Sequence, residues 1–327
     1  MFNRRFFLKA LSVTPLIASS GSLLADSFKK NERVSLSQWC FHRGIFGDSR
    51  SDYNKFISTL HSSPDDVLQG SISSKEITTI AQTLKINYID LVNILFFGHA
   101  MDKPWLDDFK IKANDSDTKF QVLMCDELGS LGASELKTRN NSIEAHMPWL
   151  ETAAYLGCKQ IRVNANGNGT YLQQLDQCAE SLAMLSTMAE TMNIEVLVEN
   201  HGYASNNGAW LAMLIEHTNH SNLGVFTDLD NFFMGGWNHK PERRYDRLQG
   251  IIDLAPYTRG VSVKAHDFNE KGKETTIDYE ECFNALAKAN FNGFYSAEYE
   301  GKRLSELEGT KATISSINIA LEKETVI

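Results

Sequence analysis

After Lys30 the chain alternates short runs rich in Val, Ile, Phe and Tyr with longer stretches whose apolar residues recur at helical spacing. The short runs, at residues 34–39, 88–92, 120–125, 160–164, 194–199, 224–228, 260–266 and 293–299, predict eight strands. The stretch 134–156 predicts a helix, with Leu136, Ile143, Met147, Leu150, Ala153 and Ala154 on one side. The stretch 171–192 does the same through Leu172, Leu175, Ala179, Leu182 and Leu185. A third helix, 278–289, opens at an acidic cap, Asp278, ahead of Tyr279, Cys282, Phe283 and Leu286.

Eight strands in alternation with helices predict an α/β chain folded as a single (β/α)8 barrel. A doubly wound sheet would carry a glycine-rich turn after its first strand. The chain has no Gly-x-Gly-x-x-Gly and no Walker loop, which argues against a nucleotide cofactor. Residues 40–75 exceed what a barrel connection needs, and their Gly, Ser and Asp content predicts a loop over the active face.

Composition narrows the class. Of 327 residues, 42% are apolar and 22% charged, with 21 Gly and 6 Pro, which excludes collagen, a disulfide scaffold and a disordered chain. A net charge of −9 without a basic stripe argues against a nucleic-acid partner. No apolar run reaches the roughly 18 residues of a membrane span, so no stable membrane anchor is expected. Cys40, Cys125, Cys158, Cys178 and Cys282 show no paired spacing and read as small buried residues. The start of the chain, with Arg4, Arg5, Phe6, Phe7, Leu8 and Lys9 before a moderately apolar stretch ending at Ala25, predicts a twin-arginine export signal over residues 1–25. The barrel then occupies 26–327, and the expected location is the periplasm.

Catalytic groups of a barrel sit at the carboxyl ends of its strands. The fifth predicted strand ends at Glu199, Asn200 and His201; the sixth at Asp228, with Asp230 and Asn231 following. The seventh ends with Lys264, His266 and Asp267; the eighth with Glu298 and Glu300. Carboxylates converging on one rim repel one another and are costly to bury. A divalent cation would relieve that cost: carboxylate oxygens and one imidazole make an ordinary site for Mn²⁺, Mg²⁺, Co²⁺ or Zn²⁺.

In the stretches 38–43, 156–164, 198–202, 228–232, 261–268, 278–279 and 298–301, the chain resembles the xylose-isomerase-like barrels of the sugar phosphate isomerase/epimerase family. The resemblance spans almost the whole chain after the signal. It implies one divalent metal ion held from strands five to eight, with Glu199, Asp228 and Glu298 on three ligand positions. The fourth position, usually the histidine of a His-x-Lys-Asp signature, falls here on Ser262 or Lys264. His266, two residues beyond Lys264 and on the same face of the predicted strand, is assigned as the fourth ligand. A second departure puts Asn231 in place of the histidine of Asp-x-x-His.

The resemblance further implies proton removal beside a carbonyl through an enediolate, with Glu199 and Glu298 as acid/base pair and Lys264 steadying the enediolate oxygen. Trp39, His42, Arg162, Asn164, His201 and Asn231 are expected to contact substrate. Export points to an unphosphorylated carbohydrate as the small-molecule partner, and a homodimer is the expected protein partnership. Two alternatives stay open: a lyase or hydrolase of 3-keto-glycosides using the same enediolate, and a non-catalytic carbohydrate-binding barrel.

Overall fold

The computed structural model describes residues 30–235 and 239–323. Its strands are β1 (Val34–Ser37), β2 (Tyr88–Val92), β3 (Lys119–Met124), β4 (Gln160–Asn164), β5 (Glu195–Glu199), β6 (Leu223–Asp228), β7 (Thr258–Ala265) and β8 (Phe294–Tyr299). They close into one barrel in chain order, every pair parallel, with β1 bonded to both β2 and β8. A helix follows each strand, from Ile77–Leu84 after β1 to Glu306–Lys323 after β8. The predicted single (β/α)8 barrel is therefore the fold. The predicted export signal lies outside the described residues. Among the described residues no helix is long and apolar enough to cross a membrane.

The period of two along each strand sorts its side chains. On β7, Val261, Val263 and Ala265 alternate with Ser262 and Lys264; on β8, Tyr295, Ala297 and Tyr299 alternate with Ser296 and Glu298. The apolar set packs against the helices, and the polar set lines the barrel. On β1, Ser35 Oγ donates to Asp90 Oδ2 at 2.5 Å and Ser37 Oγ to Glu298 Oε2 at 2.9 Å. The same alternation buries aromatic bulk between barrel and helices, where Phe283 lies 4.2 Å from Tyr295. All five cysteines are buried and unpaired.

Three expectations shift on contact with the fold. Strand one ends at Ser37, because its hydroxyl accepts from Trp39 N at 3.2 Å and caps a tight turn, Gln38–Phe41, that carries Trp39. Strand seven ends at Ala265, one residue before His266, whose backbone N–H donates to Glu274 Oε1 at 3.2 Å. The segment 40–75 is no open loop. It contains helices His42–Phe46 and Tyr53–Ser62, the second capped by Asp52 accepting from Lys55 N at 3.0 Å, and it buries Phe46, Phe56 and Leu60.

This excursion is tied down where Gly70 N donates to Ile45 O at 2.8 Å and Ile72 N to Gly44 O at 2.9 Å. A Cβ on Gly70 would collide with the Gly44 carbonyl. Gly70→Ala is therefore expected to destabilise the fold by about 1–3 kcal/mol through overpacking, read as a lower urea midpoint.

Candidate active site

The inward residues at the top of β5 to β8 bring four carboxylates into one buried group with Lys264 at its centre. The Lys264 ammonium lies 3.1 Å from Asp228 Oδ2, 3.6 Å from Glu298 Oε1 and 3.6 Å from Glu300 Oε2. Its Nζ also donates to Asn231 Oδ1 at 3.3 Å, and the Asn231 amide reaches Glu199 Oε1 at 3.4 Å. Lys264 is only 7% exposed and Glu298 6%. Burial opposes the lysine's charge, but Asp228, Glu300, Glu298 and Glu199 outweigh it and hold the ammonium well above its ordinary range.

A second cation serves the other flank. Arg162, on β4, pairs through Nε with Glu199 Oε2 at 2.8 Å and through Nη1 with Asp126 Oδ1 at 2.6 Å. Asn164 Nδ2 donates to the same Asp126 oxygen at 2.8 Å. Burial works to raise Asp126, yet Arg162, His201 and these hydrogen bonds hold it at about 2.

Glu199 and Glu298 shift in the opposite direction to Asp126. Desolvation is the largest effect on both. Glu199 is also raised by Asp228 against the pull of Arg162; Glu298 is raised by Glu300, Asp228 and Glu199 against the pull of Lys264. Both carboxyls are pushed up to about 8. Glu300 goes the other way, because Lys264 and a 2.8 Å hydrogen bond from Trp39 Nε1 outweigh its burial.

These groups open on a cavity of about 1000 Å³ whose wall includes Trp39, Asp126, Arg162, Asn164, Glu199, His201, Lys264, Glu298 and Glu300. His42 stacks on Trp39 with ring centroids 4.4 Å apart, and its Nδ1 meets Trp39 O at 2.7 Å. It thus stands behind the tryptophan rather than on the cavity wall. Asp228 and Asn231 lie deeper, within contact of Lys264 but off the wall.

His266 is not brought to this group. Its Nε2 meets Asp230 Oδ2 at 2.9 Å, and Asp230 is held in turn by Arg244 and Arg247. The reason is the early end of β7: past Ala265 the chain leaves the barrel wall, so the period-two argument no longer aims the ring inward. Sequence reasoning passed over Asp126, Arg50, Tyr53 and Phe56, all on the cavity wall. Asp126 carries the signal applied to the other strands, a charge just after an apolar run. Arg50 carries none. It is found only because the excursion folds its guanidinium over the Trp39 ring, 4.8 Å from the centroid.

Residues 79–320 match the model of the xylose isomerase-like TIM barrel family. The chain belongs to that family. Among solved structures, an IolI protein with a bound zinc atom superposes with a TM-score of 0.62 at 16% identity, covering 77% of this chain and 94% of that one. A xylose isomerase-like TIM barrel protein from Mycobacterium smegmatis in complex with magnesium gives 0.61 at 12%, covering 90% and 99%. A 3-keto-D-glucoside 4-epimerase from E. coli gives 0.59 at 14%, covering 75% and 94%. No curated protein matches the chain in sequence.

Zinc and magnesium accompany two of these solved structures, yet the donor set of this barrel does not fit a divalent ion. Asp228 Oδ1 accepts from Asp230 N at 2.7 Å and Asn231 N at 2.9 Å, and its Oδ2 faces the Lys264 ammonium. Glu298 accepts from Ser37 and faces the same ammonium; Glu199 Oε1 accepts from Asn231 and Oε2 lies 2.8 Å from Arg162 Nε, although Glu199 Oε2 and Asp228 Oδ2 accept no hydrogen bond among the described residues. The assigned fourth ligand, His266, is engaged elsewhere. Among the described residues no group of three or more His, Cys, Asp or Glu is arranged to hold a metal ion.

Two outcomes follow. Burial lowers His42, His146 and His201 to about 4, whereas the Asp230 contact raises His266 above its ordinary 6.5. Imidazole NMR titration is therefore expected to show His266 protonated at pH 6.5 and the other three neutral. The His266 pair stabilises the fold fully below pH 6.5 and loses that contribution as pH rises through the raised value. Arg162→Met leaves Asp126 and Glu199 buried without their cation, and urea unfolding is expected to show a loss of about 3–5 kcal/mol.

Proposed function

We infer that this barrel moves a proton at the carbon beside a carbonyl of a carbohydrate, interconverting isomers or epimers through an enediolate. The observation that carries this reading is the pair Glu199 and Glu298. They are buried at the ends of β5 and β8, face one cavity, and are both pushed up to about 8. Carboxyls raised to near-neutral values can each take up or release a proton at working pH, which is what removal and return of a proton at carbon require.

The ionised glutamate takes the α-proton. The C–H electron pair forms the new carbon–carbon π bond, and the carbonyl pair moves onto oxygen. The protonated glutamate then returns a proton, on the opposite face of the same carbon for epimerisation, or to the former carbonyl carbon for isomerisation, where the neighbouring hydroxyl passes its proton to the enediolate oxygen and becomes the new carbonyl. The negative charge that develops on oxygen meets cations already held in place, the Lys264 ammonium and the Arg162 guanidinium. Trp39 borders the cavity beside Asn164 and His201, which offer polar contacts to a sugar. The export signal expected at residues 1–25 favours an unphosphorylated sugar met in the periplasm. The E. coli relative, named a 3-keto-D-glucoside 4-epimerase, is in keeping with a keto-sugar substrate.

One observation supports a second reading, a lyase acting on 3-keto-glycosides. Arg50, Tyr53 and Phe56, from the excursion after β1, extend the cavity wall beyond the carboxylate group. That wall can house a leaving group, and the same enediolate expels it when the electron pair moves toward the next carbon instead of taking up a proton.

Keto-sugars, aldo-sugars and 3-keto-glucosides incubated with the protein in D₂O are expected to gain carbon-bound deuterium, read by mass spectrometry. Release of the aglycone from a 3-keto-glucoside marks the lyase. Glu199→Gln and Glu298→Gln, each folded, are expected to slow exchange by about 10²–10⁴-fold. Sugar binding without exchange in the wild type contradicts the enzymatic reading and supports a carbohydrate-binding barrel.

A further inference from the structure

We propose that the Lys264 ammonium is the resident cation of this carboxylate group, in place of a divalent metal ion, and that the barrel polarises its substrate carbonyl without one. The proposal deepens the enolisation reading and rests on it for the role in catalysis. The claim about the resident cation stands on geometry alone.

Lys264 is placed by the barrel itself. It sits directly opposite Glu298 in the β7–β8 ladder, and its carbonyl accepts from Tyr279 Oη at 2.8 Å. The side chain therefore rises from a fixed backbone into the space that Asp228, Glu298 and Glu300 enclose. Contacts of 3.1–3.6 Å to three carboxylates put the ammonium where their charges converge. A dication would also face the charges of Lys264 and Arg162 at short range in a poorly screening interior.

The neighbours match a lysine and not a metal. The Asn231 amide accepts from the ammonium with its oxygen and reaches Glu199 with its nitrogen, spanning a cation and an anion at once. A neutral metal-bound imidazole in that place would give the ammonium no acceptor. His266, the one imidazole near the end of β7, is committed to Asp230. Glu300 is drawn to the lysine and fastened by Trp39 Nε1, so the aromatic floor of the cavity is linked to the same cation. An ammonium carries three donors on a flexible stem, enough to hold a carboxylate and turn one N–H toward an enediolate oxygen.

The test is calorimetric titration of the full-length protein after exhaustive chelation, with Mn²⁺ and Zn²⁺ separately, for wild type, Lys264→His and Lys264→His/Asp228→Asn. The wild type is expected to bind neither ion stoichiometrically. Lys264→His removes the ammonium and supplies an imidazole at its place. It is expected to gain one site per chain, binding Mn²⁺ about tenfold or more tightly than wild type, and to lose it in the double variant. One ion per wild-type chain, abolished by Glu199→Gln/Asp228→Asn, overturns the proposal. A folded Lys264→His that binds no better than wild type also overturns it. Should Lys264→His not fold, the wild-type titration decides. These readouts use no substrate, so they fail or succeed separately from the deuterium-exchange test.

Discussion

Carboxylates taken out of water cost several kcal/mol each unless cations and hydrogen bonds go with them, and the mouth of this barrel buries three together with a fourth, Glu300, half-buried beside them. Glu199, Asp228, Glu298 and Glu300 are tolerated there because two cations are buried among them. Arg162 secures the β4–β5 side and Lys264 the β6–β8 side. Both side chains are carried by strands, so the barrel must close in register before either charge is compensated. The polar barrel lining, with Ser35, Ser37, Asp90, Ser262 and Ser296 all buried, belongs to the same arrangement.

Two cations, Arg162 and Lys264, for five carboxylates, Asp126 included, leave the balance incomplete, and the remainder falls unevenly. Asp126 and Glu300 sit against a cation and stay ionised; Glu199 and Glu298 share their cations with competing carboxylates and are raised toward neutral pH. A structural constraint thus produces a pair of carboxyls able to exchange a proton at physiological pH. The reaction proposed for the site needs that pair, and it needs an electrophile close by.

Much of this was legible in the chain. The bounds of β2 and β4 follow from their β-rich runs alone, and Glu199, Asp228, Lys264 and Glu298 emerge as inward residues at strand ends. The errors have local causes. Trp39 looks like a strand residue, but the Ser37 hydroxyl ends the ladder before it. His266 shares a face with Lys264 only while the strand continues, and it stops at Ala265. The excursion 40–75 looks like a polar loop because its capping residues, Asp52 and Ser73, are polar; its buried Phe46 and Phe56 are too widely spaced to form a clear period. The charges of Lys264 and Arg162 among the rim carboxylates are not legible from strand ends alone, because only the closed barrel brings them together.

With Lys264 as resident cation, the acidic rim of this barrel is compensated by its own side chains. The most direct measurement is a crystal structure from crystals grown with excess Mn²⁺, with anomalous data collected for manganese. The account predicts no anomalous peak among Glu199, Asp228 and Glu298, with Lys264 Nζ in contact with Asp228 and Glu298. A manganese peak bounded by those carboxylates, with Lys264 turned out toward the cavity, would contradict it.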